Sequence, residues 1–443
     1  MSTAGAGRGP VAVALRTTGV ELLLLGALPL NLALTITALA RSLVKKAPRE
    51  QATQPRTILI SGGKMTKALQ LARCFHGAGH RVVLVEQKKY RFTGHRFSRA
   101  VDRFLVVPRP QAPDYVEALL EIVRTEGVDV YVPVCSPIAS WYDALAGKAL
   151  APQCEVMHGD PDMVARLDDK HAFASLAASV GLAVPDTHRV TSPDQVADLV
   201  ASNGKRFILK SIAYDPIHRL DLTTLPLATR QETVAFAASK PISADNPWIV
   251  QEFIEGQEYC THSTVRDGQV QVHCCCRSSP FQINYEAVDH PGIETWVRTL
   301  VQALGLTGQV SFDFMQARGG QLFAIECNPR THSAITTLYN HPGVATAYLK
   351  NGVATVRPLP SSRPTYWIYH EAWRLLTRPG AAPSRLRTIL GGKDAIFDWS
   401  DPLPFLLVHH VQIPWLLLQN LWRGRDWIRI DFNIGKLVEP AGD

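Results

Sequence analysis

The sequence is poor in charged residues and has no concentrated run of them. Charged side chains make up 19% of the 443 residues, hydrophobic ones 46%, and the formal net charge is only +7. No arginine-rich or lysine-rich segment typical of a nucleic-acid groove occurs, so we expect no nucleic-acid partner. We expect the modest positive charge of the protein to serve in binding small anionic ligands or a membrane surface. Length and composition predict two or three globular domains.

A disulfide framework is also missing, although eight cysteines are present. A chain of this length does not need such staples, so we expect a reducing compartment. The stretch His273-Cys274-Cys275-Cys276 is the one cluster that resembles a metal site, but an alternating strand turns neighbouring side chains to opposite faces. No CxxC pair completes it, and we therefore predict buried strand thiols in place of zinc.

Neither GxGxxG nor GxxxxGK[ST] occurs where the first predicted turn reads SGGKMTKA. Residues 56–86 are still typical of a βαβ unit: strand TILIS, a Gly-Gly turn, a helix and strand RVVLVE. Such a unit predicts a parallel sheet covered by helices, and we place this Rossmann-like domain at residues 56–158. Lys64 could contact a substrate at the helix N-terminus, although a turn-making role is favoured.

One apolar segment, GVELLLLGALPLNLALTITALA at residues 19–40, has about the length needed to cross a bilayer. A signal peptide and a buried helix of a soluble domain are the alternatives. More cations follow the segment than precede it: Arg41, Lys45, Lys46 and Arg49 after it, Arg8 and Arg16 before it. This bias predicts an N-terminal tail at 1–50 that anchors the protein in a membrane, with the catalytic domains in the cytoplasm.

A second apolar stretch at residues 404–422 is broken by histidines and by Pro414, which argues against another membrane span. Core packing is favoured there over an interfacial membrane helix. We treat residues 351–443 as a C-terminal extension, and the sequence leaves the oligomeric state open.

The polar chemistry concentrates in SFDFMQARGGQLFAIECNPRTH (311–332), which predicts two strands joined at the Gly-Gly pair. Side chains two apart on a strand share a face, so Glu326 and Asn328 point the same way and the partner strand can bring Asp313 beside them. Arg330 would lie at the rim. Three oxygen donors of this kind suit Mg²⁺, or Mn²⁺ in its place, and carboxylates that merely face water are the alternative.

Residues upstream of this hairpin offer what a nucleotide needs. Two lysines supply point charges for phosphates, a strand edge reading QEFI offers backbone partners to a base, and a glutamate after Gly256 can accept from ribose hydroxyls. Arg330 would stabilise charge as it spreads over a transferred phosphoryl group. The upstream candidates are Lys170, Lys210, Gln251, Glu252, Phe253, Ile254 and Glu258.

The order lysine, lysine, QEFIEGxE, aspartate and ExNPR resembles the ATP-grasp superfamily over about residues 160–350. The resemblance implies an ATP-grasp fold of mixed α/β and α+β class, preceded by the Rossmann-like domain, with ATP and magnesium as cofactors. It also implies the ligands: Lys170 and Lys210 for the phosphates, Glu252 with the backbone of Phe253 and Ile254 for adenine, Glu258 for ribose, and Asp313, Glu326 and Asn328 for the metal. One departure is the absence of a glycine-rich loop after Lys210, where Ser211 or Arg219 would have to cover the phosphates.

Longer motifs narrow the resemblance: SGGKMTKALQLAR, YVPVCSP, THSTVRDG, FQINYE, IECNPRTHSAIT, YNHPGVA, PTYWIYHE and DFNIGKLVE. These are similar to the ATP-grasp ligases of mycosporine biosynthesis. The resemblance implies an enzyme that phosphorylates a ring oxygen of 4-deoxygadusol and joins glycine to the ring, giving mycosporine-glycine. Two other functions stay open: an ATP-grasp carboxylate–amine ligase acting through an acyl phosphate, and a non-catalytic ATP-binding module attached to a membrane.

The residues that would hold the ring and the glycine are less well defined by the sequence. Arg277 and Arg330 are candidate cations for the amino-acid carboxylate. Thr331, His332 and Ser333 directly follow the metal strand and would lie near the transferred phosphate. His332 as a general base is one hypothesis, and a structural histidine is the favoured one.

Overall fold

The computed structural model describes residues 9–44, 49–202, 204–219, 221–278, 284–378, 380 and 382–440. Part of the predicted FQINYE motif, residues 281–283, lies outside the described residues, as do three of the cations that flank the apolar segment, Arg8, Lys45 and Lys46.

The described chain contains α-helices along its whole length. Their bounds are α1 Pro10–Val44, α2 Thr66–Gly77, α3 Tyr115–Glu126, α4 Ser140–Leu150, α5 Pro161–Asp168, α6 Lys170–Ser179, α7 Pro193–Ser202, α8 Arg230–Ala238, α9 Pro291–Ala303, α10 Val344–Leu349, α11 Ile368–Thr377, α12 Ala382–Gly391, α13 Leu403–Leu407 and α14 Ile413–Trp422. A π-helical turn, Val408–Gln412, joins α13 to α14.

The strands form five sheets among the described residues. Their bounds are β1 Thr57–Ile60, β2 Arg81–Gln87, β3 Arg103–Val107, β4 Val130–Val132, β5 Glu155–Val156, β6 Thr187–Val190, β7 Phe207–Ser211, β8 Thr224–Leu225, β9 Trp248–Glu252, β10 Gly256–Arg266, β11 Gln269–Ser278, β12 Asn284–Tyr285, β13 Gly308–Ala317, β14 Leu322–Asn328, β15 Thr365–Tyr366, β16 Lys393–Asp394, β17 Arg429–Asp431 and β18 Lys436–Val438.

The first sheet is parallel, in the order β3-β2-β1-β4-β5, as the βαβ pattern predicts. Side chains of β1 alternate between its faces: Ile58 and Ile60 pack with α2, while Leu59 packs with α3 and α4. In the turn before α2, Gly62 has φ of +69°, and a Cβ there would meet the Val134 carbonyl oxygen at 1.9 Å. Glycine is therefore required at this position.

Two antiparallel sheets follow and enclose the cleft in which the predicted site residues lie. One has the order β6-β9-β7-β8 and the other β11-β10-β13-β14. The segment 212–245, which the sequence presented only as a long polar stretch, contains β8 and α8. A core formed by α9 and the second sheet, with Trp296 against Phe312 and Phe314, holds the β13–β14 hairpin in place.

The C-terminal extension is more regular than the sequence suggested, since it contains α11 to α14 and two small sheets. Its core is shared with earlier parts of the chain, because Trp367, Phe405 and Leu417 pack in one cluster with Leu24 of α1 and Leu69 of α2. The predicted core packing of residues 404–422 holds for one face of α13 and α14, while Leu418 and Trp422 on α14 are exposed.

Helix α1 extends well beyond the predicted segment 19–40 and lies against the C-terminal extension. The Trp427 indole donates to Thr17 Oγ1 (3.1 Å), Arg16 donates to the Ile428 carbonyl (2.8 Å), and Asn31 Nδ2 donates to the Tyr369 hydroxyl (2.5 Å). By length and composition α1 could cross a membrane, but a core helix or a signal sequence can have the same length and composition.

Buried histidines make the fold sensitive to acid. Burial lowers the pKa of His95 and His273 to about 4 and that of His332 and His409 to about 3. In the unfolded chain these side chains take up protons near pH 6.5, whereas the folded protein keeps them neutral, so stability falls as the pH drops below about 6.5. Each histidine contributes up to about 1.4 kcal/mol per pH unit in that range.

We therefore expect urea unfolding at pH 5.5 to show a clearly lower free energy of unfolding than at pH 7.5. Equal free energies at the two pH values would contradict the assignment of neutral buried histidines.

Candidate functional site

The β13–β14 hairpin brings the three predicted metal ligands together. Asp313 lies opposite Glu326 in the register, and Ser311 lies opposite Asn328. Phe312 and Phe314 point into the core, so Asp313 between them faces the cleft. The Asn328 amide nitrogen lies 3.1 Å from Glu326 Oε1 and 3.5 Å from Asp313 Oδ2. At the other end of the hairpin Gly320, with φ of +85°, forms the turn.

Three cations surround this carboxylate pair, each carried by a different element. Helix α6 packs against β14, and its start is fixed by Asp169, which accepts from two backbone N–H groups at 2.9 Å. Lys170, the first residue of α6, therefore places its ammonium 3.6 Å from Glu326 Oε2. Arg330 lies beside Asn328 and donates to Asp168 at 2.8 Å.

Lys210 at the end of β7 reaches the pair from the other sheet. Its ammonium donates to Gln251 Oε1 at 2.9 Å, and Gln251 in turn donates to the Ile325 carbonyl at 3.1 Å. This chain of hydrogen bonds ties the two sheets together across the cleft. Burial lowers the pKa of Lys210, and the carboxylates of Glu326 and Asp313 oppose that shift.

The two carboxylates have pKa values shifted in opposite directions. Burial disfavours ionisation of Glu326, but Lys170, Lys210 and Arg330 outweigh it and lower its pKa to about 2. Burial together with the charge on Glu326 raises the pKa of Asp313 well above its usual range. The surrounding cations therefore favour the ionised form of Glu326, whereas burial and the charge on Glu326 disfavour ionisation of Asp313.

The predicted nucleotide contacts line the same cleft. The Glu252 carboxylate accepts from Lys205 (3.0 Å) and from the Asp186 backbone N–H (3.2 Å), so its orientation is fixed. Glu258 accepts from the Ser278 hydroxyl at 3.0 Å, and burial raises its pKa. Phe253 follows the end of β9, and its backbone N–H already donates to the Arg206 carbonyl at 2.8 Å.

A cavity of about 1400 Å³ unites these residues. It is larger than the roughly 300–1,000 Å³ of a typical small-ligand pocket, which leaves room for a nucleotide and a second substrate. The predicted site residues that line it are Lys64, Lys170, Lys210, Gln251, Glu252, Phe253, Ile254, Glu258, Asp313, Glu326, Asn328, Arg330, Thr331, His332 and Ser333.

Arg277 is not brought to this cavity. Its neighbour Ser278 lines the cavity, and adjacent side chains on β11 point to opposite faces, so Arg277 faces outward and is exposed. The structure thus gives no support to Arg277 as the cation for an amino-acid carboxylate, and Arg330 is the predicted cation that remains in the cavity.

Lys64 lines the cavity wall, but its ammonium is engaged by the protein. It lies 3.7 Å from Glu86 Oε1 and 4.2 Å from the centre of the Tyr90 ring, and its backbone N–H donates to Glu86 Oε2 at 3.0 Å. These contacts favour the turn-making role over the substrate contact.

The segment after Lys210 has no glycine-rich loop, and an aspartate side chain fixes its backbone instead. Asp215 Oδ1 accepts from the backbone N–H groups of Ile217 (2.8 Å) and His218 (3.0 Å). Both Ser211 and Arg219, the predicted substitutes for a glycine-rich loop, line the cavity.

His332 behaves as a structural residue. Its Nδ1 accepts from the Ala334 backbone N–H at 3.2 Å, and its ring meets Tyr285 edge-on at 5.4 Å. Since Nδ1 already accepts a hydrogen bond, the neutral ring carries its proton on Nε2, and no basic nitrogen is left for a substrate. The structural histidine is therefore the better interpretation.

Two residues that the sequence did not single out complete the far end of the cavity. Lys67 of α2 is buried, donates to the Thr331 carbonyl, and lies 3.5 Å from the Cys135 carbonyl. Burial, followed by the nearby charge of Arg330, lowers its pKa to about 7. Asn433, from the C-terminal motif DFNIGKLVE, accepts from the Ser333 hydroxyl at 2.8 Å. Both residues lie inside motifs that carried the resemblance, which was the available signal.

The fold is similar to that of two solved structures. One is N5-carboxyaminoimidazole synthetase from Staphylococcus aureus in complex with ADP, with 15% identity, a TM-score of 0.52, and coverage of 72% of this chain and 82% of the other. The other is a biotin carboxylase–βγ-ATP complex from Campylobacter jejuni, with 14% identity, a TM-score of 0.50, and coverage of 70% and 73%. The chain therefore shares the mixed α/β fold of these two structures, which agrees with the predicted fold class.

A curated relative matches part of the sequence. The carbamoyl phosphate synthase large chain of Rubrobacter xylanophilus is 22% identical over 262 residues, which cover 54% of this chain and 24% of the relative. The chain thus spans about a quarter of the length of that relative. No protein-family profile matches the chain.

The opposite shifts of the two carboxylates predict opposite behaviour of two conservative variants. Glu326→Gln removes the charge that Lys170, Lys210 and Arg330 surround, and we expect a loss of roughly 1–3 kcal/mol in the free energy of unfolding. Asp313→Asn removes a carboxyl group whose ionisation is already disfavoured and keeps its shape, so we expect a change below about 1 kcal/mol. Urea unfolding at pH 7, with a chelator and no nucleotide, measures both. Equal losses in the two variants would contradict the asymmetric pair.

Proposed function

We propose that the protein is an ATP-dependent C–N ligase that phosphorylates a ring oxygen of 4-deoxygadusol and joins glycine to the activated ring, giving mycosporine-glycine. The observation that carries the ligase proposal is the single cavity in which phosphate-binding cations, a carboxylate pair and a buried lysine of low pKa meet. The neighbouring solved structures, a synthetase and a carboxylase in nucleotide complexes, support ATP as the nucleotide.

The chemistry of the donors fits magnesium. Asp313, Glu326 and Asn328 offer hard oxygen ligands on one face of the hairpin, and the raised pKa of Asp313 reflects a charge that a cation would compensate. Bound Mg²⁺ neutralises charge on the β- and γ-phosphates. Lys170 and Lys210 hold the phosphates from either side, and Arg330 stabilises the charge that spreads over the transferred group.

The adenine end lies on the strand edge after β9. Gln251 is held by Lys210 and by the Ile325 carbonyl, and Glu252 by Lys205, so both side chains are oriented before the nucleotide arrives. Glu258 is placed to accept from the ribose hydroxyls, and the residues Phe253 and Ile254 to flank the base. Such preorganisation lowers the entropic cost of binding.

The proposed reaction has two steps, and a residue at the far end of the cavity accepts the proton that is released. Transfer of the γ-phosphoryl group to the ring oxygen releases ADP and makes that oxygen a good leaving group. The glycine amine adds to the activated carbon, the carbon–oxygen bond breaks, and inorganic phosphate departs. Lys67, whose lowered pKa of about 7 leaves a substantial neutral fraction at that pH, accepts the proton that the amine loses.

Three distant motifs of the mycosporine resemblance meet at this acceptor end, which supports the finer proposal. SGGKMTKALQLAR contributes Lys67, IECNPRTHSAIT contributes Thr331 and Ser333, and DFNIGKLVE contributes Asn433. The general ATP-grasp features need none of these contacts. A substrate shared within that family is therefore the natural occupant of this end.

We also propose that α1 holds the enzyme at a membrane with the catalytic domains in the cytoplasm. The length and composition of α1 support attachment to a membrane, and the cations that follow the apolar segment suit the anionic cytoplasmic leaflet.

The substrate proposal is tested by mixing the protein with Mg–ATP, 4-deoxygadusol and glycine. We expect ADP release together with a growing near-ultraviolet absorbance from the vinylogous amide. The runner-up, a carboxylate–amine ligase acting through an acyl phosphate, would release ADP with a simple carboxylate and an amine, without the chromophore. No ADP release with any acceptor would favour a non-catalytic nucleotide-binding module.

The role of Lys67 is tested by its pH profile. The base must be neutral, so we expect kcat of the unaltered enzyme to fall as the pH drops below about 7. Lys67→Met should lower kcat by roughly a hundredfold or more and abolish that step in the profile.

Lys64→Met is the matched control, because Lys64 is a buried lysine of the same turn region paired with Glu86. It should lower stability and keep the pH step. A Lys67→Met enzyme that retains the step near pH 7 would rule out the proposed proton acceptor.

A further inference from the structure

The exposed apolar side chains of the protein are concentrated in two parts of the chain. Among the described residues, ten of the large exposed apolar side chains lie on α1 and eight on residues 351–443, against five elsewhere. Helix α1 packs against α13 and α14 of that same extension. The two groups therefore belong to neighbouring surfaces of the molecule.

Helix α1 has the reverse of the amphipathic pattern of a soluble core helix. Its buried stripe consists mostly of small or polar residues: Val13, Thr17, Leu24, Asn31, Thr35, Ala38 and Ser42. Six of its leucines are exposed on the opposite side: Leu15, Leu22, Leu25, Leu30, Leu32 and Leu43. Small and polar residues at the helix interface, with leucines facing away from it, are typical of helices surrounded by lipid.

The docked stripe runs almost the whole length of the helix. From Val13 to Ser42 it covers about 44 Å at 1.5 Å per residue. Contacts occur along this distance: Arg16 with the Trp427 ring at 3.5 Å, Asn31 with Tyr369, and Arg41 with the Trp399 ring at 5.3 Å. A helix fixed in this way cannot cross a bilayer without carrying the attached extension into the hydrocarbon, where its charged residues would be costly.

The catalytic cavity opens beside this apolar surface. Leu23 of α1 and Trp373 and Leu376 of α11 are 59%, 55% and 76% exposed, and all three line the cavity. Arg378, exposed one residue beyond the end of α11, lines it as well. Exposed apolar side chains with an arginine beside them suit the boundary between acyl chains and anionic headgroups.

We propose that α1 lies in the plane of the membrane surface, with its leucines in the lipid, and that the mouth of the catalytic cavity, between Leu23 and Trp373, faces the same bilayer. The occupant of the apolar surface is thus a bilayer containing anionic lipid. This arrangement replaces the predicted crossing of the bilayer by residues 19–40. It does not depend on which acceptor the enzyme uses.

The orientation of α1 is tested with cysteines introduced one at a time on either side of the helix, Gly9→Cys before it and Glu50→Cys after it, in the full chain expressed in cells. A membrane-impermeant maleimide is applied to inverted and to right-side-out membrane vesicles. We expect both cysteines to react in inverted vesicles only. Reaction of one cysteine in each kind of vesicle would show a crossing helix and overturn the proposal, as would recovery of the protein wholly outside the membrane fraction.

The position of the cavity mouth is tested with an environment-sensitive fluorophore on Leu22→Cys, Trp373→Cys or Ala201→Cys. Ala201 is the control, because it is exposed on α7, which packs against α8 and β6. The natural cysteines, buried except for half-buried Cys74, give the background on the unaltered chain. Vesicles of phosphatidylcholine with phosphatidylglycerol should shift the emission to the blue at residues 22 and 373 and leave residue 201 unchanged. A shift at residue 22 without one at residue 373 would overturn the placement of the mouth.

Discussion

The repulsion between Asp313 and Glu326 is the constraint on which the rest of the site depends. Ionisation of both carboxylates at once is disfavoured by burial and by their mutual repulsion, which raises the pKa of Asp313. The register of β13 and β14 forces the two carboxylates together, so the surrounding structure must supply positive charge. It does so from α6, from β7 and from the chain just after β14, which explains why these elements converge on one hairpin.

The cleft between the two antiparallel sheets divides the work of the site. In the proposed function, the sheet that contains β7 and β9 carries the residues that orient the nucleotide, and the sheet that contains β13 and β14 carries the metal ligands that act on its phosphates. The far end of the cavity is built differently, from α2 and from the last residues of the described chain. A nucleotide site can therefore remain constant while the acceptor end changes with the elements that close it.

The parts that could be predicted from the sequence are those that depend on short-range spacing. The parallel sheet followed from the order strand, glycine turn, helix and strand, and the facing of Glu326 and Asn328 followed from their separation by two residues. Lys67 contacts Thr331, which is 264 residues away in the sequence, and Ser333 contacts Asn433, which is 100 residues away. No local sequence pattern predicts such contacts. Arg277 was misplaced for a related reason. Adjacent residues of a strand point to opposite faces, and the local sequence does not show which of the two faces the cavity. The docking of α1 was missed because its apolar composition hid the polar stripe that packs inward.

The contact between Arg16 and Trp427 has a consequence for how the protein is made. These residues are 411 positions apart, so at a synthesis rate of roughly 5–20 residues per second the partner of α1 appears some 20 to 80 s after the helix itself. If α1 lies on a membrane as proposed, lipid covers the leucine-rich helix during that interval. Membrane attachment would then come before the closing of the catalytic cavity, and the wall made by α1 and the extension would assemble on a surface that already holds the nascent chain.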